Sequence, residues 1–263
     1  MSPWQTDGMF ETPEYLSPSS ISTYRDCPMK FKFSRIDRIV EPPTWQTHLG
    51  TFVHEVLEHF YQLDGDMRTV ESVKSTATER WTEGEWESKV NELEKKLGTI
   101  TEFKKAAFEC MTNLWKIEDP QQTELIGMEY ELFTDVEGVR MKGFVDRFLF
   151  DDDGKIIISD YKTGAIPNPR FKSDDDKYFQ LLAYALMFES ADQEETSKLQ
   201  LLYLKHSANH EISVTPVKLA IARGVIVETK EAIDAACATE NFACNKTKLC
   251  DWCFHKPYCP AHQ

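Results

Sequence analysis

Two apolar runs on either side of an acidic turn, in residues 141–164, constrain the fold of this chain more than any other stretch. The first run reads MKGFVDRFLF, the turn DDDG and the second run KIIISDYKTG. Aromatic and β-branched residues flanking an Asp/Gly turn predict an antiparallel hairpin. With a three-residue loop at 152–154, Asp151 faces Lys155, and the same register places Asp146 opposite Asp160.

The second strand of this hairpin presents charged groups on one face. Side chains alternate along a strand, so Asp160 and Lys162 share a face while Tyr161 points the other way. Together with Asp146, two carboxylates and an ammonium converge, and burying them costs on the order of several kcal/mol unless something compensates. Mg²⁺ or Mn²⁺ would compensate, because these cations take carboxylate oxygens and keep waters for chemistry. The alternative is a hairpin whose charges face solvent.

The motif Gly143-Phe144-Val145-Asp146, followed by Asp160-Tyr161-Lys162, resembles the core of the PD-(D/E)XK nucleases, specifically their RecB-like branch. A predicted helix over 47–63 adds to the resemblance, since residues 50–58 match the Gly-x-x-x-His-x-x-Leu-Glu signature of that branch. Its histidine, His54, is a suitable third protein ligand for Mn²⁺. A lone helical histidine is also common in cores and on surfaces.

The resemblance implies a role for each matching residue. It makes Asp146 and Asp160 ligands of Mg²⁺ or Mn²⁺, with His54 completing the site. Lys162 would assist the attacking water, and the backbone carbonyl of Tyr161 would add a ligand. Glu58 could also face the metal, although an exposed surface acid is equally common at such a position. Glu129 or Glu131 of a predicted strand could reach the metal face, although exposed strand acids are the commoner case.

A later helix carries a further element of the family pattern. In the predicted helix 177–189, Gln180 and Tyr184 lie four residues apart and therefore on one face. The resemblance links this Gln-x-x-x-Tyr pair to the positioning of DNA at the site.

The cysteines predict a second metal site. Seven cysteines without a secretion signal favour metal or redox chemistry over disulfides. Cys250, Cys253 and Cys259 form a late Cys-x2-Cys-x5-Cys, and Cys27 is the candidate fourth ligand because both Cys27 and Cys259 precede proline, a recurring step in iron–sulfur ligation. The layout resembles that of the iron–sulfur RecB/AddB-like nucleases, which include CRISPR-associated exonucleases and phage relatives, and implies a [4Fe–4S] cluster. Zinc in the same thiolates, or Cys244 as a replacement ligand, are the alternatives.

The order helix, hairpin, helix and strands indicates an α/β fold, with a mixed β-sheet flanked by helices around a restriction-endonuclease-like core. We predict a flexible arm over 1–15 and one nuclease domain over 16–263. A helical insertion covers 66–120, and an iron–sulfur module joins 16–40 to 240–263.

Composition limits the partners. The chain is 41% hydrophobic, with no apolar run that would span a bilayer and no secretion signal, which predicts a cytoplasmic protein of a cell or a phage-infected host. Its formal charge of −14 argues against a surface that coats DNA generally. A local groove over 29–39, where basic residues interleave with aromatics, could still hold a single strand. Its basic residues are Lys30, Lys32, Arg35 and Arg38.

The hypothesis from these patterns is a metal-dependent DNA nuclease. Family resemblance implies a single-strand exonuclease running 5′ to 3′. The alternatives are a non-catalytic DNA-binding or adaptor protein of a CRISPR-adaptation or recombination complex, and a site-trimming endonuclease. No Gly-x-x-x-x-Gly-Lys-Ser/Thr motif occurs, so ATP-driven helicase activity is not expected.

Overall fold

The computed structural model describes residues 10–93, 97–168, 170 and 173–263, with residue 175 described by its backbone only. Most of the predicted arm, residues 1–9, lies outside these ranges. The described part of the arm is attached to the fold: the Phe10 ring packs edge-on against Phe242 with centroids 6.0 Å apart. Leu16 also exchanges backbone hydrogen bonds with Arg140 and Lys142, both 2.9 Å long.

A five-stranded mixed sheet forms the centre of the molecule, with the strands in sequence order. The first three strands are antiparallel, the third and fourth are parallel, and the last pair is antiparallel. The parallel step requires a crossover, which a long helix provides. This arrangement confirms the predicted α/β class. The strands are β1 (Gly127–Val136), β2 (Val139–Phe150), β3 (Ile156–Lys162), β4 (Thr196–Tyr203) and β5 (Ala208–Ser213).

The register of the central hairpin is the predicted one. Asp151 N donates to Lys155 O at 2.8 Å, which closes the three-residue loop. Pairing between β2 and β3 extends from Phe150 opposite Ile156 to Arg147 opposite Ser159, and ends there. The two strands therefore separate one pair before the predicted Asp146–Asp160 position.

The helices pack on both faces of the sheet. Ser17 caps the first helix by accepting a hydrogen bond from Ser20 N at 3.1 Å, with Pro18 at the first helical position. The helices are α1 (Pro18–Asp26), α2 (Pro28–Phe31), α3 (Trp45–Tyr61), α4 (Val70–Glu83), α5 (Trp86–Asn91), α6 (Ile100–Thr112), α7 (Asp174–Asp192) and α8 (Pro216–Thr239).

The segment that carries the predicted basic groove, residues 29–39, is helical as far as Ile36. After α2 the backbone forms a π-helix, Lys32–Ile36, in which Asp37 N donates to Lys32 O at 2.9 Å. Arg38 then adopts a left-handed conformation with φ of 54°, which ends the helical segment.

Two hydrophobic cores sandwich the sheet. One lies between the sheet and α1, α7 and α8, and includes Met141, Val145 and Leu182. The other lies under α3 to α6 and includes Phe52 and Phe103. The parts of β2 and β3 that carry the predicted acids are thus held between two packed layers. Across the described residues, none of the helices combines the length and apolarity that crossing a bilayer requires.

Candidate active site

Three potential metal ligands converge where α3 meets the first two strands. The ligand atoms of His54, Glu129 and Asp146 all lie within 4.8 Å of one another. His54 Nδ1 is 3.4 Å from Asp146 Oδ2 and 3.9 Å from Glu129 Oε1. Three different elements therefore bring one imidazole and two carboxylates to one point.

Glu129 owes its position to an irregularity in β1. The ladder with β2 pairs Met128 with Arg147 and Tyr130 with Val145, and Glu129 between them has a left-handed backbone with φ of 43°. This conformation costs a non-glycine residue about 1–3 kcal/mol and is typical of functional sites. Strand alternation gives no signal for such a residue, so the sequence identified Glu129 only as one of several strand acids.

The backbone of Tyr161 joins the ligands at the point where β2 and β3 separate. Its amide donates to Asp146 Oδ2 at 3.1 Å, and its carbonyl lies 2.9 Å from His54 Nε2. When Nε2 carries the hydrogen and donates to this carbonyl, the Nδ1 lone pair faces the carboxylates and is free to bind a cation. The Tyr161 carbonyl, which the family resemblance predicts as a metal ligand, is therefore hydrogen-bonded to His54 in this structure.

Asp160 and Lys162 share a face, as predicted, and form an ion pair. Asp160 is buried, and among the described residues its Oδ2 accepts no hydrogen bond of normal geometry despite the nearby ammonium. It does not belong to the three-ligand group of His54, Glu129 and Asp146. A buried carboxylate beside that group fits a hard divalent cation, which would share it with the Lys162 ammonium.

The electrostatics of the site support cation binding. Burial and the charge of Asp160 raise the pKa of Asp146 to about 7. For His54, burial acts to lower the pKa, but the neighbouring carboxylates of Glu129, Asp146 and Asp160 outweigh it and raise the pKa to about 9. A proton on His54 thus balances crowded carboxylates. A divalent cation could supply the same positive charge and displace protons as it binds.

Gln180 and Tyr184 meet on α7, as their spacing predicts. Gln180 Nε2 donates to the Tyr184 hydroxyl at 3.3 Å, and the Tyr184 ring is buried against Gly143. Burial raises the pKa of Tyr184 to about 12. The DNA-positioning role of the pair stays a prediction.

The contact between Tyr184 and Gly143 leads to a first testable prediction. A Cβ on Gly143 would lie 2.6 Å from Tyr184 Cε1, inside a packed core. We expect Gly143→Ala to lower the free energy of unfolding by about 1–3 kcal/mol in chemical denaturation. The control is Gly224→Ala in α8, where nothing lies within 4 Å and alanine should stabilise the helix by about 0.5–1 kcal/mol. Equal stability of the two variants would contradict the close contact.

A buried ion pair lies behind the site and was not predicted from the sequence. Arg147, with 1% of its side chain exposed, makes two hydrogen bonds of 2.6 and 2.7 Å to the carboxylate of Glu118. It also donates to the Tyr161 hydroxyl at 2.9 Å, and Tyr61 donates to Glu118 as well. This network fixes the side chain of Tyr161, whose backbone holds two of the candidate ligands.

The basic groove predicted over 29–39 does not present its aromatics to solvent. Phe31 and Phe33 are buried in the fold, and Lys32 is paired with Asp37 at 2.7 Å. The interpretation of these aromatics as a stacking surface is therefore wrong, because Phe31 packs in the core and Phe33 packs on His255 beside the terminal cysteines.

The terminal cysteines meet around one small cavity. Hydrogen bonds from Met29 N to Ala243 O (3.0 Å) and from Asn245 Nδ2 to Asp26 O (2.9 Å) join the two ends of the described chain. The cavity contains one thiol more than the four predicted, with Cys244 Sγ 3.7 Å from Cys259 Sγ. Its cysteines are Cys27, Cys244, Cys250, Cys253 and Cys259.

The same cavity also holds a buried histidine. His255 is 1% exposed and stacks on Phe33 with centroids 5.2 Å apart. Among the described residues, neither ring nitrogen makes a hydrogen bond, and burial lowers the pKa of His255. Clustered thiols beside an unpaired ring nitrogen fit a thiolate-bound metal group, because its sulfur atoms would accept the missing hydrogen bond.

Comparisons with known proteins identify the family of this fold. The family model of the PD-(D/E)XK nuclease superfamily matches residues 15–260. The gene 69 protein of Mycobacterium phage D29 is 26% identical over 196 residues, which cover 65% of this chain and 67% of that protein. A crystal structure from Eubacterium rectale, described as a candidate exonuclease, has the same fold, with a TM-score of 0.55 and 13% identity over 92% of this chain and 88% of that chain. This chain belongs to the PD-(D/E)XK nuclease superfamily.

Proposed function

We propose that this protein is a metal-dependent deoxyribonuclease that degrades single-stranded DNA from an end, in the 5′ to 3′ direction. The convergence of His54, Glu129 and Asp146 within 4.8 Å is the observation that carries the proposal. Asp146 and Asp160 would hold Mg²⁺ or Mn²⁺ together with His54, and Glu129 is an additional candidate ligand. A divalent cation at such a site activates water and stabilises negative charge on the phosphate.

The residues around the ligands have separate tasks in this proposal. Lys162, which is partly exposed beside Asp160, orients the attacking water and offsets the charge that develops on the phosphate. The hydrogen bonds of the Tyr161 backbone keep Asp146 and His54 in place before substrate arrives. Gln180 and Tyr184 position the strand from the α7 side.

The direct experiment uses single-stranded DNA labelled at the 5′ end, labelled at the 3′ end, or closed into a circle. Each substrate is incubated with the protein and Mn²⁺, Mg²⁺ or a chelator. A 5′ to 3′ exonuclease releases the 5′ label first, spares the circle and stops with chelator. Cleavage of the circle would instead indicate an endonuclease, and survival of all three substrates would indicate a DNA-binding or adaptor protein.

For the cysteine cavity we propose a [4Fe–4S] cluster with a structural role. The five thiols and the unpaired ring nitrogens of His255 support the proposal. Cys27, Cys250, Cys253 and Cys259 are the proposed ligands, with Cys244 as the replacement and zinc as the alternative metal. Linking residue 27 to residue 250 would remove on the order of 5 kcal/mol of denatured-chain entropy if the link acts as a covalent cross-link does.

A cysteine variant tests this structural role. We expect Cys250→Ala, purified without oxygen, to lose bound iron and the brown visible absorption and to give less folded protein. Cleavage per mole of folded protein should change little, because the proposed active site does not include the cavity. The control is Cys237→Ala, because Cys237 is buried in α8 and lies outside the cavity. This variant should keep the iron of the wild type. Loss of cleavage in Cys250→Ala with the chromophore intact would contradict a purely structural cluster.

A further inference from the structure

The outer face of the β1–β2 hairpin exposes aromatic rings beside cations, and we call this surface the hairpin track. Tyr15, Phe133 and Phe144 are 46, 52 and 48% exposed. Large aromatic rings normally gain free energy by burial, so three exposed rings on one sheet face mark an interaction surface. The hairpin track consists of Tyr15, Phe133, Arg140, Lys142 and Phe144.

The members of the hairpin track form one continuous series of contacts. The guanidinium of Arg140 lies 5.3 Å from the centre of the Phe133 ring, and Phe133 meets Tyr15 edge-on at 6.3 Å. Lys142 Nζ lies 5.8 Å from the centre of the Tyr15 ring and 5.8 Å from that of Phe144. Two cations and three rings therefore form one unbroken series of contacts across the hairpin.

The hairpin track leads to the candidate active site. Arg140, Lys142 and Phe144 occupy alternate positions of β2 on the face opposite the core residues Met141 and Val145. Asp146 is the next position on the same side. Because alternate residues of a strand are about 7 Å apart, Phe144 lies one such step from the proposed metal ligand.

The charge of the protein limits what this surface can bind and how. With a net charge of −14, the chain as a whole repels a polyanion. The two cations of the track are already paired, Lys142 with Glu131 and Arg140 with Glu14. Counterion release therefore contributes little, and stacking of unpaired bases on exposed rings is the remaining source of affinity.

We propose that the hairpin track binds the bases of single-stranded DNA and guides the strand to Asp146. This proposal rests on the proposed nuclease function and specifies how its substrate is held. Unpaired bases can stack on Phe144, Tyr15 and Phe133, whereas the bases of a duplex are already stacked on each other and do not expose their faces.

The test measures the anisotropy of a fluorescein-labelled oligothymidylate titrated with the full chain, in chelator and at a series of salt concentrations. We expect Phe144→Ala and Phe133→Ala each to weaken binding about 5- to 140-fold, the range for loss of one base–aromatic stack. Their salt slopes should match that of the wild type. In Lys142→Gln the salt slope should also stay close to that of the wild type, because Glu131 already pairs this ammonium.

The matched control is Phe150→Ala. Phe150 is 42% exposed and lies on the same strand, but on the far side of the candidate active site from the track. Its removal should leave the dissociation constant unchanged. Unchanged binding in both track variants, an equal loss in Phe150→Ala, or equally tight binding of an unlabelled duplex competitor would each overturn the proposal.

The design separates this proposal from the nuclease assignment. Binding is measured in chelator and needs no catalysis, whereas wild-type hydrolysis of bis(p-nitrophenyl) phosphate with Mn²⁺ tests the active site on a diester too small to reach the track. An inactive wild type whose oligothymidylate binding depends on Phe144 would refute the nuclease and support the track. An active wild type with unchanged Phe144→Ala and Phe133→Ala binding would refute only the track.

Discussion

Asp146→Asn is expected to lower the rate of Mn²⁺-dependent cleavage of single-stranded DNA by at least about 10³-fold, the loss associated with removing several kcal/mol of transition-state stabilisation by a metal. The amide oxygen of asparagine can still accept the hydrogen bond that Tyr161 N donates to Asp146 Oδ2. The charge that holds the cation is lost, however. So is the titrating carboxyl group, whose pKa is raised to about 7 by burial and by the charge of Asp160.

The measurement compares initial rates on an end-labelled strand, with thermal unfolding to verify that each variant is folded. Asp152→Asn is the matched control, because it makes the same substitution at an exposed residue in the turn of the same hairpin, and its rate should equal that of the wild type. Lys162→Gln should also lose most of its activity, since the ammonium that faces Asp160 is gone. Retention of even a tenth of the wild-type rate in Asp146→Asn would remove Asp146 from the metal site.

Arg147→Met is expected to lower the free energy of unfolding by about 3–5 kcal/mol, because it leaves the buried carboxylate of Glu118 without its charge partner. Burial raises the pKa of Glu118, but the charge and hydrogen bonds of Arg147 and the hydrogen bond from Tyr61 outweigh burial and lower that pKa. The variant Arg147→Met/Glu118→Gln should regain part of the loss, since no unpaired charge remains. Chemical denaturation at neutral pH gives the free energies of unfolding of the wild type, the single variant and the double variant.

The pH dependence of the loss follows from the same pair. A carboxyl whose pKa is lowered by folding stabilises the protein above its unfolded pKa, and that contribution disappears as pH falls through the folded pKa. The difference in stability between wild type and Arg147→Met should therefore narrow in acid, below about pH 4. Arg223→Met is the control, because its pairs with Glu137 and Glu189 are exposed and worth at most about 1 kcal/mol. If Arg147→Met lost no more stability than Arg223→Met, the pair of Arg147 with Glu118 would not be needed for the stability of the fold.

The central hairpin was predictable because local features determine it. The DDDG turn and the flanking apolar runs specify a loop of three residues, and the pairing of Arg147 with Ser159 follows from that loop alone. The shared face of Asp160 and Lys162 follows from strand alternation. His54 was placed by motif resemblance rather than by periodicity, since a helical histidine gives no signal of its partners.

Features that depend on distant contacts were not predictable. Arg147 reads as an ordinary strand charge, and only the folded chain shows that Glu118, 29 residues earlier, meets it in the interior. Glu129 reaches the site through a left-handed backbone that alternation rules cannot anticipate. Phe31 and Phe33 were misinterpreted for a similar reason, because interleaved basic and aromatic residues do not reveal which side chains the rest of the fold buries.

The cysteine cavity was predictable only in part. The shared Cys-Pro step predicted that Cys27 would meet the C-terminal cysteines, and the structure brings both segments to one cavity. Spacing does not determine which four of the five thiols bind a metal, since Cys244 also lies against Cys259.

Anomalous diffraction from crystals soaked in Mn²⁺ tests the central proposal most directly, because it locates the cation without relying on activity. A peak within coordination distance of the Asp146 carboxylate and His54, with Asp160 or Glu129 completing the shell, is the predicted result. The same soak of Asp146→Asn crystals should show no peak. A wild-type crystal without a peak between His54 and Asp146, or one whose peak persists in Asp146→Asn, would contradict the proposed metal site.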